Sequence, residues 1–371
     1  MLDVNFDGDG GRMITASNDH SARVVEVPAE TVLPWEVGKP TAAAFDARGE
    51  RIATGDFYGS IRIWNVPNRQ PRLTAAVFPG QEITAVRFSP DERYLAVGTR
   101  PGMAAVVELS SGKTVSQFDH GALVKGIARV KSIDMDGGSH LVFTGGDDGN
   151  VKIWSLVGRL LATLEQPDPV TGLVLNSDGS RLAVTSGSFG SRKRGGFVVW
   201  NVGTRTALRR IDNLPTSLEA IAFSGDSRTI ATASQDNSAQ LWDAASGRKR
   251  LNFVVDQPVW AVAFSADGKY LATGSQDGVA RIWETATGGE LVRLPHEGSV
   301  RMARFTSDGK HLLTASFDPS GVMTQAREWE WRADNLIRQA CSRAARGLTL
   351  DDWNRYIVIE PYRPVCQVNR Q

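Results

Sequence analysis

The chain has 371 residues, with 42 Lys and Arg against 41 Asp and Glu, for a formal net charge of +1. That length can bury a large core, and the balanced charge leaves no footprint for bulk binding to nucleic acid or an anionic membrane. Apolar runs are too short to span a bilayer, and the opening MLDVNFDGDGG is too acidic and too poor in apolar residues for a signal peptide. Two cysteines, Cys341 and Cys366, make no disulfide framework, so a reducing, cytoplasmic setting is expected.

From Met1 onward the predicted strands come in sets of three. Leu2 to Phe6, Arg12 to Ser17 and Ala22 to Val27 form the first. A chain that starts inside a strand suggests a piece of a longer protein or a late start codon. Thr41 to Phe45, Arg51 to Gly55 and Ser60 to Trp64 follow, then Ile83 to Phe88, Tyr94 to Gly98 and Met103 to Leu109. The fourth set runs from Val124 to Trp154, with a long first turn around Asp134 to Gly138. The fifth ends at Trp200 after an inserted loop, Ser186 to Gly196, that carries Arg192, Lys193 and Arg194. Leu218 to Asp243, Val259 to Glu284 and Val300 to Trp329 complete the series. Short outer strands such as Ala207 to Ile211 and Glu290 to Leu294 fall between sets.

The unit from Val259 to Glu284 explains the pattern. Val259, Val262 and Phe264 are the apolar positions of one strand, and Ser265-Ala266-Asp267-Gly268 is a turn. Tyr270 to Gly274 is a second, small and apolar run. Asp277-Gly278 is a short hairpin signal leading into Val279 to Trp283. The closing position is occupied in turn by Val25, Trp64, Val107, Trp154, Trp200, Trp242, Trp283 and Trp329, in steps of 39 to 47 residues. Three strands and an outer strand at that period mean an all-β propeller, one blade per repeat. The units resemble WD repeats, with Leu241-Trp242-Asp243 nearest the signature dipeptide. Eight units close as one eight-bladed ring, the favoured arrangement, or leave seven plus one extra unit.

Domain boundaries are expected at 1–331 for the propeller and 332–371 for a short helical tail. Leu336, Ile337, Ala340, Cys341 and Ala344 recur at helical spacing, with Gly347 as a stop. Thr349 and Asp352 would cap a second short helix bearing Trp353 and Tyr356, and Pro361 and Pro364 end it. The tail resembles one that closes bacterial WD-repeat proteins, in which propellers follow a STAND-type signalling NTPase or sometimes a protein kinase. The two cysteines match that family tail, as packed thiols or a bond.

Two groups of residues stand out. The WD resemblance implies a buried hydrogen-bond chain, offered in full by His120, Thr144, Asp148 and Trp154. Asp236 with Trp242 and Asp277 with Trp283 keep its spacing without the His, and these aspartates read as structural. The other group is the residue after the first apolar position of each inner strand: Leu2, Thr41, Thr84, Lys125, Thr171, Glu219, Trp260 and Arg301. These should ring the channel mouth. A purely structural repeat needs only small polar residues there, whereas Glu219, Trp260 and Arg301 are acidic, aromatic and basic, and Trp and Arg are enriched in binding hot spots.

Other motifs carry less. Ser111-Gly112-Lys113-Thr114 ends like a phosphate loop, but Val107 stands where its first Gly belongs and a strand follows. Asp7 to Gly10 and Asp134 to Gly137 faintly resemble calcium loops without the closing Glu. His20, His120, His140, His296 and His311 with two distant cysteines give no zinc spacing. No cofactor is expected. The expected function is a non-enzymatic protein-interaction scaffold or sensor. By the tail's resemblance it is the recognition part of a STAND-like signalling protein, with an effector or NTPase module upstream. The rivals are a propeller hydrolase or lyase with its site in the channel, which needs converging carboxylates, His or metal ligands, and an inert gene fragment.

Overall fold

The structure is a computed structural model that describes residues 3–6, 12–16, 22–26, 31–35, 40–46, 51–65, 71–121, 129–138, 140–187, 194–305, 309, 311–317, 319 and 323–331. Those residues form eight antiparallel sheets, seven of four strands and one of three. In every sheet the strands lie side by side in chain order, so each is a meander.

The first sheet holds Asp3–Phe6, Arg12–Ala16, Ala22–Glu26 and Thr31–Trp35. The second holds Pro40–Phe45, Arg51–Asp56, Ser60–Asn65 and Pro71–Ala76, and the third Ile83–Phe88, Tyr94–Thr99, Met103–Glu108 and Thr114–Asp119. Val130–Met135, Val142–Gly146, Asn150–Trp154 and Leu160–Glu165 make the fourth. Val170–Leu175, Arg181–Gly187, Gly195–Asn201 and Thr206–Leu214 make the fifth. The sixth is Leu218–Phe223, Thr229–Ser234, Ser238–Asp243 and Lys249–Val254, and the seventh Val259–Phe264, Tyr270–Ser275, Val279–Glu284 and Glu290–Pro295. Ser299–Phe305, His311–Phe317 and Met323–Glu330 form the eighth.

Burial follows position in the sheet. The first strand of each sheet packs against the first strand of the next, and second strands also reach across, so neighbouring sheets stack face to face. Second and third strands are therefore covered on both faces. Leu95 to Thr99 and Ala104 to Val107 are buried without alternation, which is why they read as continuous small apolar runs. Fourth strands face solvent on one side and alternate: in Thr114–Asp119 only Ser116 and Phe118 are buried. The inward residue of such a strand packs on the closing Trp of the next sheet: Phe118 lies 4.7 Å from Trp154 and Phe253 5.1 Å from Trp283, ring centre to ring centre. In the fifth sheet Phe197, on the third strand, takes that place 5.2 Å from Trp242.

One feature differs from the sequence expectation. The fourth sheet begins at Val130, not Val124, so Asp134 lies inside a strand, paired with Phe143, and the turn is formed by residues after Met135. Val124 and Val130 both precede a Lys, and the shorter step to Trp154 is the one the pairing uses. The first sheet has its own outer strand, Thr31–Trp35, in the gap between sets where outer strands were expected. The helical tail, with Cys341 and Cys366, lies outside the described residues, as do Leu2, Lys125, Arg192 and Lys193.

Candidate functional site

The inner strands of the second to eighth sheets each carry a β-bulge near their start, and the bulge places the rim side chains. In the seventh sheet Val259 pairs with Ser275 and Ala261 with Gly274, so Trp260 has no partner across the ladder. The same skip leaves Thr41, Thr84, Thr171, Glu219 and Arg301 as the extra residue of their strands. In the fourth sheet the skipped residue is Lys131, because Val130 pairs with Gly146 and Ser132 with Gly145. Lys131 therefore stands at the position assigned from sequence to Lys125. A bulge turns its extra side chain out of the alternating pattern, here toward one end of the inner strands.

The bulge residues do two different things. Thr41 is buried, and its hydroxyl donates to the Ile83 carbonyl of the next sheet. Thr84 repeats this toward the Val130 carbonyl at 2.6 Å. Thr171 donates to the Thr185 hydroxyl at 3.0 Å. Small hydroxyl bulges thus tie inner strands together. The larger ones face one another instead. The Arg301 guanidinium lies over the Trp260 ring, 5.2 Å from its centre, in cation–π geometry. Glu219 accepts a 2.7 Å hydrogen bond from the Gln235 amide. Burial pushes the Lys131 ammonium below the usual lysine range, while the charge of Glu219 pulls the other way. Trp260 Nε1 and Arg301 Nε are both buried donors without an acceptor. At the same end lie the Arg129–Asp147 ion pair at 3.3 Å and the Arg100–Glu82 pair. Phe57 and Tyr58, 48% and 53% exposed, end the second strand of the second sheet there. Sequence reasoning passed over these last six, because they fall just outside the strands that defined the repeat.

The second constellation lies inside the sheets. Trp154 Nε1 donates to Thr144 Oγ1 at 2.9 Å, the Thr144 hydroxyl donates to His120 Nδ1 at 2.6 Å, and His120 Nε2 donates to Asp148 Oδ1 at 3.2 Å. Asp148 closes the chain by accepting the Asn150 N–H at 3.0 Å. Burial opposes ionisation of Asp148, but the hydrogen bonds from His120 and Asn150 outweigh it and hold its pKa at about 2. Trp64 to Thr54, Trp242 to Thr232 and Trp283 to Thr273 repeat the first link at 3.2, 3.0 and 3.0 Å. His296 supplies an imidazole in the eighth sheet, 2.6 Å from the Thr314 hydroxyl that also accepts Trp329 Nε1. Like His120 after Asp119, it directly follows the outer strand of the preceding sheet, and that shared position was the available signal.

Turn aspartates complete the pattern. Asp236 Oδ1 accepts the Ser238 N–H and hydroxyl, and Asp277 Oδ1 accepts the Val279 N–H. Their other oxygens meet the buried third-strand residue four positions on, Gln240 and Arg281, the latter at 2.7 Å. The fifth sheet lacks all of this: Val184 stands at the threonine position and Trp200 Nε1 is buried without an acceptor.

The remaining motifs are turns or surface. Gly112, at φ 69°, closes the hairpin between the strands ending at Glu108 and starting at Thr114. Asp134 pairs with Arg87 at 3.2 Å, and Asp136 accepts the Leu141 N–H. Arg194 reaches Asn213 at 3.5 Å. Among the described residues no three His, Cys, Asp or Glu side chains gather where they could hold a metal, and no helix is long and apolar enough to cross a membrane. Two adjoining cavities, of about 700 and 680 Å³, open at the opposite end of the inner strands; Asp134, Asp136 and Asp178 line the first, Arg304 lines the second, and Arg87 lines both.

Comparison with known proteins agrees with this geometry. The family model "WD domain, G-beta repeat" matches residues 112–155, 213–243 and 251–284. A second, "Anaphase-promoting complex subunit 4 WD40 domain", matches 60–132. Neither model describes an enzyme. Protein HIR1 of Kluyveromyces lactis is 23% identical over 210 residues, 52% of this chain and 20% of that protein. The LST8 homolog of Drosophila melanogaster is 24% identical over 205 residues, 54% and 62% of the two chains. Human transducin beta-like protein 2 is 27% identical over 222 residues, 56% and 48%. The aligned part is less than two thirds of each relative's own length. The crystal structure of the computationally designed Ika8 protein superimposes with a TM-score of 0.72 at 18% identity, covering 89% of this chain and 95% of that one. The matched segments are similar to WD repeats, and the row of meander sheets fits a WD-repeat propeller.

Proposed function

We propose that the chain is a non-enzymatic interaction scaffold whose partner seats on the rim formed by Glu219, Trp260 and Arg301. The observation that carries this reading is the cation–π contact of Arg301 on Trp260 at bulge positions that, in the second and third sheets, hold only threonine. A bulge that merely joined sheets would need a hydroxyl. An aromatic ring and a guanidinium there, with two unsatisfied buried donors, supply the hot-spot chemistry of an interface. Lys131, rather than Lys125, belongs to the same surface. The enzyme alternative would rest on the adjoining cavity at the far end, lined by Asp134, Asp136 and Asp178, where Asp134 is paired with Arg87 and Asp136 accepts the Leu141 N–H; at the rim, Glu219 is engaged by Gln235.

The finer reading joins the scaffold to a larger machine. It places the chain in the cytoplasm as the recognition part of a STAND-like signalling protein, on the strength of the tail's resemblance, with eight blades in one ring. The first sheet packs on the second as each later sheet packs on its neighbour, which favours eight over seven plus one. The test is a photo-crosslinking residue at position 260, compared with one at the exposed outer position 115 of the third sheet. Partner adducts from 260 and not from 115 support the rim. The reverse pattern overturns it.

A further inference from the structure

Across most of the molecule, arginines are neutralised by carboxylates. Arg51 pairs with Asp46 and Glu92, Arg62 with Asp56, Arg87 with Asp134, Arg281 with Asp277 and Arg293 with Glu290. The outer edge of the fifth and sixth sheets breaks this habit. Arg205, Arg209 and Arg210 on or beside Thr206–Leu214 are exposed, and so are Arg248, Lys249 and Arg250 at the start of Lys249–Val254. The guanidiniums of Arg205, Arg209 and Arg210 are fixed by carbonyls. Arg205 donates to Leu161 O at 2.7 Å, Arg210 to Glu165 O at 3.5 Å, and Arg209 to Leu208 O at 2.7 Å and to Ala245 O. A carbonyl orients a guanidinium without cancelling its charge.

The nearby carboxylates offset little. Asp212 reaches Arg210 only at 3.9 Å. Asp243 spends an oxygen on the Ser246 N–H and hydroxyl, both at 2.7 Å. Six exposed cations against three carboxylates, Asp212, Asp243 and Glu165, leave a positive local field on a chain whose net charge is only +1. Beside Arg205, across the Leu161 contact, the turn of the fourth sheet exposes Val157 at 76% and Leu160 at 44%.

We propose that this lateral edge is a second docking surface, separate from the rim, for a short acidic segment of a protein that also carries aliphatic side chains. The carbonyl-held guanidiniums would take carboxylates, and Val157 with Leu160 would take an aliphatic residue. A nucleic acid fits less well, since the patch exposes no aromatic ring for base stacking and leaves the aliphatic pair unused.

The test uses three labelled probes in fluorescence anisotropy with the full chain: a ten-residue peptide alternating Glu and Leu, its Lys–Leu counterpart, and a single-stranded oligonucleotide of the same charge as the first. The acidic peptide should bind at low salt and weaken as salt rises, and Arg210→Glu/Arg250→Glu should weaken it at least about tenfold by reversing two charges. Arg293→Glu, on the seventh sheet, should leave it unchanged. Arg248→Gln/Arg250→Gln, with an unaltered melting midpoint, guards against a folding defect and should weaken binding in the same direction. The proposal is overturned if the acidic peptide does not bind at low salt. It is equally overturned if the oligonucleotide binds as tightly, or if Arg293→Glu weakens the peptide as much as the double variant. None of these outcomes depends on Trp260 or Arg301.

Discussion

Replacing Thr144 by Val tests the buried hydrogen-bond chain with almost no change of shape. Thr144 is fully buried, and its hydroxyl both accepts from Trp154 and donates to His120. The variant therefore leaves two buried polar groups unsatisfied, each costing about 1–3 kcal/mol. Thr273→Val in the seventh sheet is the matched control. Thr273 is equally buried and accepts Trp283 Nε1 at 3.0 Å, with no imidazole behind it. One group is orphaned rather than two, so Thr144→Val should lose roughly 1–2 kcal/mol more. Urea unfolding of both variants at pH 7, followed by tryptophan fluorescence, reads the difference. Equal losses, or a larger loss at Thr273, would refute the role given to His120.

Asp148 predicts a pH dependence. Its folded pKa of about 2 lies below the ordinary aspartate value of 3.8, so its contribution is complete above about pH 4 and fades as pH falls toward 2. The gap between wild type and Asp148→Asn should shrink over that window by about 2 kcal/mol; a constant gap contradicts the assignment. Val184→Thr should give the Trp200 indole its acceptor and raise stability by about 1 kcal/mol, measured by urea midpoint, whereas a loss of that size would argue against it. Gly59 and Gly80 both have positive φ, 88° and 78°. A Cβ on Gly59 would meet the Phe78 carbonyl at 1.6 Å, while one on Gly80 meets nothing within 4 Å. Gly80→Ala should cost about 1 kcal/mol and Gly59→Ala several times that; similar melting midpoints would contradict the turn geometry.

The meander was legible because its signals are local. Asp-Gly turns, small apolar second strands and a closing Trp each follow from one strand's own burial, and they recur often enough to fix the repeat. The inner strand of the fourth sheet was misplaced because Val124-Lys125 and Val130-Lys131 look alike in sequence. Only the pairing of Val130 with Gly146 and of Met135 with Val142 decides between them. The rim was half legible. Position within the repeat pointed to Trp260 and Arg301, but their mutual contact joins two sheets and no single strand encodes it. That Thr41 and Thr84 serve the next sheet's carbonyls was hidden for the same reason. His296 was missed although it follows its outer strand as His120 does, because the sequence reading paired His120 with its threonine and aspartate in one repeat only and counted His296 among scattered histidines.

The most direct test of the scaffold reading is capture from native lysate, with wild-type chain, Trp260→Ala/Arg301→Ala and Arg210→Glu/Arg250→Glu as parallel baits. The account predicts one defined partner, held by the wild type and the lateral variant and lost by the rim variant, with all three baits folded. A partner that stays bound to Trp260→Ala/Arg301→Ala would contradict it.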